Sequence, residues 1–173
     1  MKYLVVIDMQ YDFVSGSLGT PEAAAILDNV KNKIKAHQED SQGCRILYTK
    51  DTHTEDYLHT QEGHHLPVAH CIKGTNGWEI VKELLIPGAE IIEKPEFGSL
   101  ELAERIAAAG DAESIELVGV CTDICVISNA LILKARLPEV PISVDSRCCA
   151  GVTPESHEKA LATMRMCQID IPA

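Results

Sequence analysis

The sequence predicts an α/β fold: a three-layer sandwich built on a mostly parallel, doubly wound sheet of five to six strands. Three observations carry this. Short β-branched apolar runs recur along the chain without alternating with polar residues, the pattern of strands buried on both faces. Segments with helix start and stop signals lie between them. Neither a repeat nor a low-complexity tract breaks the alternation, and 173 residues suit one domain spanning 1–173.

In chain order, strands are expected at 3–8 (YLVVID), 44–49 (CRILYT), 89–94 (AEIIEK), 114–120 (SIELVGV) and 140–145 (VPISVD). QIDI at 168–171 fits a short final strand at the sheet edge. The first helix is expected from Pro21 to about His37, with Thr20 as N-cap and proline at the first helical position. A short helix over 78–85 is stopped by Pro87-Gly88, and one over 99–109 ends at Gly110. A strongly apolar helix runs from Asp123 to about Arg136, before Pro138. The last, 153–167, opens with Thr153-Pro154-Glu155-Ser156, again a cap followed by proline. Right-handed crossovers then put helices on both faces of the sheet, and the ligand crevice lies outside the carboxyl ends of the strands.

Composition narrows the function classes. A net charge of −11 argues against nucleic acid and against an anionic membrane surface, both of which want a basic footprint. A small neutral substrate fits better. The opening run MKYLVVIDMQ is too short for a signal peptide and ends in Asp8 instead of a small-residue cleavage site. No later stretch approaches transmembrane length. Seven cysteines, an odd number, make a poor disulfide framework, so free thiols in the reducing cytoplasm are expected.

The unusual polar residues fall at strand ends. Asp8 closes the first strand, Asp51 and His53 follow the second, Lys94 closes the third, and Gly119–Cys125 leaves the fourth to enter a helix. Cys125 is expected in the first turn of that helix, where the dipole and unpaired amides favour a thiolate and a neighbouring Lys would favour it further. A buried apolar Cys is the commonest fate of an intracellular thiol, and Cys44, Cys148, Cys149 and Cys167 are read that way. Cys121 and Cys125 stand as CxxxC, which speaks against a CxxC-type redox pair. Asp8, Lys94 and a thiol together make a workable machine, the carboxylate taking the thiol proton and the ammonium holding charges in register. Asn129, one helical turn after Cys125, can support the site.

The 51–71 segment is long for a connection and holds five of the seven His: His53, His59, His64, His65 and His70. A His/carboxylate mixture suits zinc, iron or manganese. Spacing alone does not choose among five His and several acids.

With these residues assembled, the chain resembles the isochorismatase-like cysteine hydrolases, a Rossmann-like group, and within them the nicotinamidases. The matches are VVIDMQYDF (5–13), the lone Lys94 closing the middle strand, and GVCTDICV (119–126). The resemblance implies Asp8, Lys94 and Cys125 as a catalytic triad, and a non-proline cis peptide at Val120–Cys121. It also implies the backbone N–H groups of Cys121 and Cys125 as an oxyanion hole. It further implies one divalent metal, with zinc first and iron or manganese as alternatives, held by Asp51, His53, Glu62 and His70. His59, His64 and His65 stay in reserve. Phe13, Leu66, Phe97 and Asn129 are the expected pocket residues. Where nicotinamidases often carry an aromatic before the last His, this chain has Leu66 and Pro67. The implied reaction is hydrolysis of nicotinamide to nicotinic acid and ammonia through a Cys125 thioester, by a homo-oligomer. The alternatives are another small amide or carbamoyl compound, or a catalytically silent metal-binding protein.

Overall fold

The computed structural model describes residues 1–40 and 43–172. Strands β1 (Lys2–Ile7), β2 (Cys44–Asp51), β3 (Glu90–Lys94), β4 (Ser114–Val120) and β5 (Ile142–Ala150) form one sheet. Their order is β3-β2-β1-β4-β5, and every neighbouring pair is parallel. Chain order therefore reverses at β1, which lies between β2 and β4. That reversal opens a crevice above the carboxyl ends of the central strands.

The helices are α1 (Tyr11–Val14), α2 (Pro21–Ala25), α3 (Leu27–Gln38), α4 (Gln61–His65), α5 (Leu100–Ala109), α6 (Ile127–Arg136) and α7 (Pro154–Met166). Two cores flank the sheet, and the period-two alternation of β1 divides it between them. Tyr3, Val5 and Ile7 pack with Leu102 and Ile106 of α5, Leu133 of α6 and Met164 of α7. Leu4 and Val6 pack on the opposite face with Ala23, Val30 and Ile34 of α2 and α3. None of the described helices is long and apolar enough to cross a membrane.

Several elements follow their local signals closely. Thr20, Ser99 and Thr153 each accept a hydrogen bond from an N–H in the first turn of α2, α5 and α7. Gly110 closes α5 in the left-handed conformation, φ 67°.

Four expectations are corrected. The helix expected over 21–37 is two helices, joined at Ile26. The helix expected over 78–85 is absent. Its backbone is pinned instead, since Ile80 bridges Gln10 antiparallel, Tyr11 N–H donates to Glu79 O, and Val81 N–H donates to Met9 O. Trp78 is anchored alongside: its indole N–H donates to Thr52 Oγ1, and Lys50 Nζ lies 3.0 Å from its ring centroid. Tertiary pairing here overrides a weak local helix preference. The final strand at 168–171 shrinks to one parallel bridge, Ser143 to Asp170. Lastly, the nucleophile segment does not begin as α-helix: Thr122–Val126 form a π-helical turn that runs on into α6. Single π turns of this kind occur often at functional sites.

Candidate active site and metal centre

Strand register brings the polar residues together. The β2–β3 pairing sets Asp51 directly beside Lys94, and β1–β4 sets Ile7 beside Gly119, so Asp8 emerges next to the cysteine turn. Gly119 has φ 119°, and a Cβ there would stand 2.1 Å from Ile7 O, so no side chain fits. The Val120–Cys121 peptide is cis. Asp8 itself lies in the left-handed region, φ 48°, a conformation Asp tolerates better than most residues.

Lys94 is the hub. It is buried, and its Nζ lies 2.6 Å from Asp8 Oδ2, 3.4 Å from Asp51 Oδ1 and 3.6 Å from Cys125 Sγ. The ammonium also donates to Glu96 O at 2.9 Å, which fastens the loop after β3 over the site. Burial opposes the charge on Lys94, but Asp8, Cys125 and Asp51 outweigh it and raise its pKa, keeping the group cationic. Burial pushes the Asp8 carboxyl above the usual range, with Lys94 opposing and Asp51 adding to the rise. Burial also pushes the Cys125 thiol well up, reinforced by Asp8 and only partly relieved by Lys94. Burial and Asp8 thus oppose the thiolate that the position in the turn and Lys94 favour. A protonated thiol beside a carboxylate of raised basicity is a matched donor–acceptor pair.

Asp51, His53 and His70 form the second cluster. One ligand atom from each lies within 4.8 Å of the other two, and all three residues are buried. His53 Nε2 is 2.9 Å from Asp51 Oδ2 and His70 Nε2 is 3.6 Å from it. His53 Nε2 nevertheless makes no well-aligned hydrogen bond, an orphaned buried nitrogen aimed at the point its neighbours share. That donor set, two imidazoles and a carboxylate, fits a divalent cation of the zinc type. The Asp51 carboxyl is depressed: burial opposes this, but the neighbouring imidazoles of His53 and His70 and the charge of Lys94 prevail. Burial lowers the basicity of His70, but Asp51 more than offsets it and leaves the pKa raised.

The expected fourth ligand is close. Glu62 Oε1 lies 3.8 Å from His53 Nε2 and 3.7 Å from His70 Nε2. Burial pushes its carboxyl upward. The reserve histidines are not brought in. His59 is exposed and held by Asp56 at 2.7 Å, and His64 and His65 are exposed on α4.

Of the expected pocket residues, Phe13 packs its ring 5.5 Å from that of His70, while Leu66 and Phe97 are exposed. Asn129 lies beneath the nucleophile turn. It is buried, accepts from Ser99 N–H, and donates to Phe97 O and Cys125 O, clamping the 97–99 loop to the nucleophile turn.

Four positioning residues lie outside the sequence reading. Thr49 donates to Asp8 Oδ1 at 2.6 Å and accepts from Asp8 N–H, fixing the carboxylate. Buried Gln10 accepts from Asp51 N–H at 2.7 Å and donates to Asp51 O and Trp78 O, both at 2.8 Å. Asp12 Oδ2 accepts from Cys71 N–H at 2.8 Å, tying α1 to the residue after His70. Tyr57 packs against both metal-site imidazoles. Thr49 could have been flagged as a polar residue closing the apolar run of β2, whereas nothing local marks Gln10. Nothing in the sequence marks Tyr57 beyond its rarity as an aromatic.

An isochorismatase-domain profile matches residues 2–171. The chain belongs to the isochorismatase family. This family member is 29% identical over 177 residues to an uncharacterized isochorismatase family protein, PncA, of Bacillus subtilis (strain 168), covering 93% of this chain and 92% of that one. Its structure superposes on the pyrazinamidase of Pyrococcus horikoshii in complex with zinc with TM-score 0.85 and 30% identity, covering 99% and 98% of the two chains. The pyrazinamidase/nicotinamidase of Streptococcus mutans UA159 gives TM-score 0.86 at 25% identity, covering 99% and 100%. The five-stranded parallel sheet is thus that of isochorismatase-like hydrolases, and the Asp51–His53–His70 cluster is a candidate divalent-metal site.

Proposed function

We propose that the protein is a metal-containing cysteine amidohydrolase that converts nicotinamide and water to nicotinic acid and ammonia. The observation that carries this is the hub geometry: one buried ammonium bridges Asp8 at 2.6 Å, Cys125 at 3.6 Å and the metal-site Asp51 at 3.4 Å. A nucleophile, its base and a ligand-orienting centre are thereby fixed by a single side chain.

In this reading Asp8 takes the Cys125 proton as Sγ attacks the carboxamide carbon, and the N–H groups of Cys121 and Cys125 receive the oxyanion. Asp8 returns the proton to the departing nitrogen, which leaves as ammonia. Asp8 then takes a proton from water, which attacks the thioester to release the acid and restore the thiol. Lys94 stays cationic throughout and offsets the negative charge that passes between Asp8 and Cys125. Asp51, His53 and His70, with Glu62 in reach, would hold a divalent cation, which would supply a Lewis-acid contact to orient the ring. The seven cysteines are unpaired, in keeping with a reducing compartment, and the net charge of −11 favours release of an anionic product.

The test is ammonia release from nicotinamide by purified protein, beside Cys125→Ala and a chelator-treated sample. Turnover that disappears in both controls and returns on adding back metal supports the reading. An inactive wild type that binds metal and carries a reactive Cys125 overturns nicotinamide as substrate.

A further inference from the structure

Tyr57 stands in the short 3₁₀ turn Tyr57–His59, between the two metal-site histidines in sequence, and it is 1% exposed. Its ring centroid lies 4.7 Å from that of His53 and 4.8 Å from that of His70, while the two imidazoles are 4.9 Å apart. The three rings thus form a near-equilateral cluster, and their planes are mutually tilted by 56° to 74°. Edge-to-face contacts of this kind fix ring orientation as well as burying surface. The phenol donates to Leu66 O at 3.0 Å, tying the 3₁₀ turn to the C-terminal end of α4, the helix that carries Glu62. The backbone on that side is also close-fitted: a Cβ at Gly63 would stand 2.1 Å from Tyr57 O.

We propose that Tyr57 is a positioning residue for the cation site, its ring setting the planes of His53 and His70 so that both Nε2 atoms face one point. The hydroxyl sets where α4, and with it Glu62, approaches that point. The ring therefore governs affinity and coordination geometry, and the hydroxyl governs chiefly the Glu62 side. His53 has particular need of such backing, because its buried Nε2 makes no well-aligned hydrogen bond. His70 is held from behind by Nδ1 to Val68 O at 2.8 Å, so its remaining freedom is the tilt that Tyr57 and Phe13 restrict.

This rests on the reading of Asp51, His53 and His70 as a cation site, and the test separates the two. Zinc affinity is measured by competition with a chromophoric chelator, and coordination geometry by the visible absorption of Co²⁺, on wild type, Tyr57→Phe, Tyr57→Leu and Tyr48→Leu. Tyr48 is the control, an equally buried tyrosine whose hydroxyl donates to Leu84 O within the core that α2 and α3 cover. Tyr57→Leu is expected to weaken zinc binding by roughly 10- to 100-fold, the usual effect of losing a partner of a metal-bound histidine, and to alter the Co²⁺ spectrum. Tyr57→Phe keeps the ring and restores most of the affinity. Tyr48→Leu lowers the melting temperature and leaves affinity and spectrum unchanged. Tight wild-type binding with an unaltered Tyr57→Leu, or an equal loss in Tyr48→Leu, overturns the role of Tyr57 alone. A wild type that binds no divalent cation overturns the cation site itself, and this role with it.

Discussion

Replacing Gln10 with leucine removes one side chain that satisfies three backbone groups: Asp51 N–H and Asp51 O, both buried, and the half-buried Trp78 O. Leucine has similar bulk and no polar atom, so packing changes little and the loss is chiefly of hydrogen bonds. A buried polar group left unpaired costs about 1–3 kcal/mol. Water can reach some of the three once the cleft loosens, so about 3–5 kcal/mol is expected, a large share of the roughly 5–15 kcal/mol typical of a folded domain. The second effect is local. Asp51 is held at the end of β2 by both its N–H and its carbonyl, so freeing them lets the carboxylate drift from His53 and His70. Metal affinity should fall by roughly 10- to 100-fold. Urea denaturation of metal-free protein reads the first effect, and chelator competition reads the second. A Gln10→Leu variant within about 1 kcal/mol of wild type would refute the assignment of three unmet bonds to one amide. Unchanged metal affinity in a destabilised variant would refute the coupling to Asp51.

Other expectations follow from the same geometry. Asp8→Asn should lower turnover by roughly 10²- to 10⁴-fold, yet speed iodoacetamide labelling of Cys125 at pH 8, because Asp8 raises the thiol pKa while Lys94 lowers it. Slower labelling would contradict this. Lys94→Met leaves two buried carboxylates without their cation and should destabilise metal-free protein by about 3–5 kcal/mol at pH 8. The Asp8 carboxyl is already raised in the fold, and losing Lys94 raises it further. The folded state then holds the proton more tightly than the unfolded one, so the deficit against wild type should grow from pH 5 to pH 8. A deficit that shrinks over that range, read by denaturation at both pH values, would reverse the argument. Gly119→Ala places a methyl 2.1 Å from Ile7 O at a positive φ and should prevent accumulation of folded protein, as read by soluble yield and circular dichroism. His59→Ala should leave metal affinity unchanged, since His59 is exposed and held by Asp56.

The sheet was legible because its strands are buried on both faces and read as unbroken apolar runs, and β1 to β4 fall within a few residues of the expected ends. The clustering of Asp8, Asp51, His53, Lys94 and Cys125 was legible for a related reason. In a parallel sheet the carboxyl ends share one edge, so residues distant in sequence but alike in strand position become neighbours. What escaped was set by tertiary contact. The 78–85 segment carries adequate helix formers, but bonds to Met9, Tyr11 and Gln10 hold it open, and no local pattern reports such partners. At Cys125 the helix position that favours a thiolate is visible in sequence, whereas the depth of burial that opposes it is not. Among the five loop histidines the spacing did not choose, whereas burial does, leaving His53 and His70 inside and the other three in solvent.

The order of strands along the chain has a consequence for how the site comes into being. The first 94 residues supply three adjacent strands, every candidate metal ligand, Asp8 and Lys94. Cys125 arrives only with β4, on the other side of β1. As the polypeptide is synthesised from its amino end, the ionic hub can be assembled before the thiol exists to meet it. The sulfur of Cys125 then docks against groups that the earlier strands already supply.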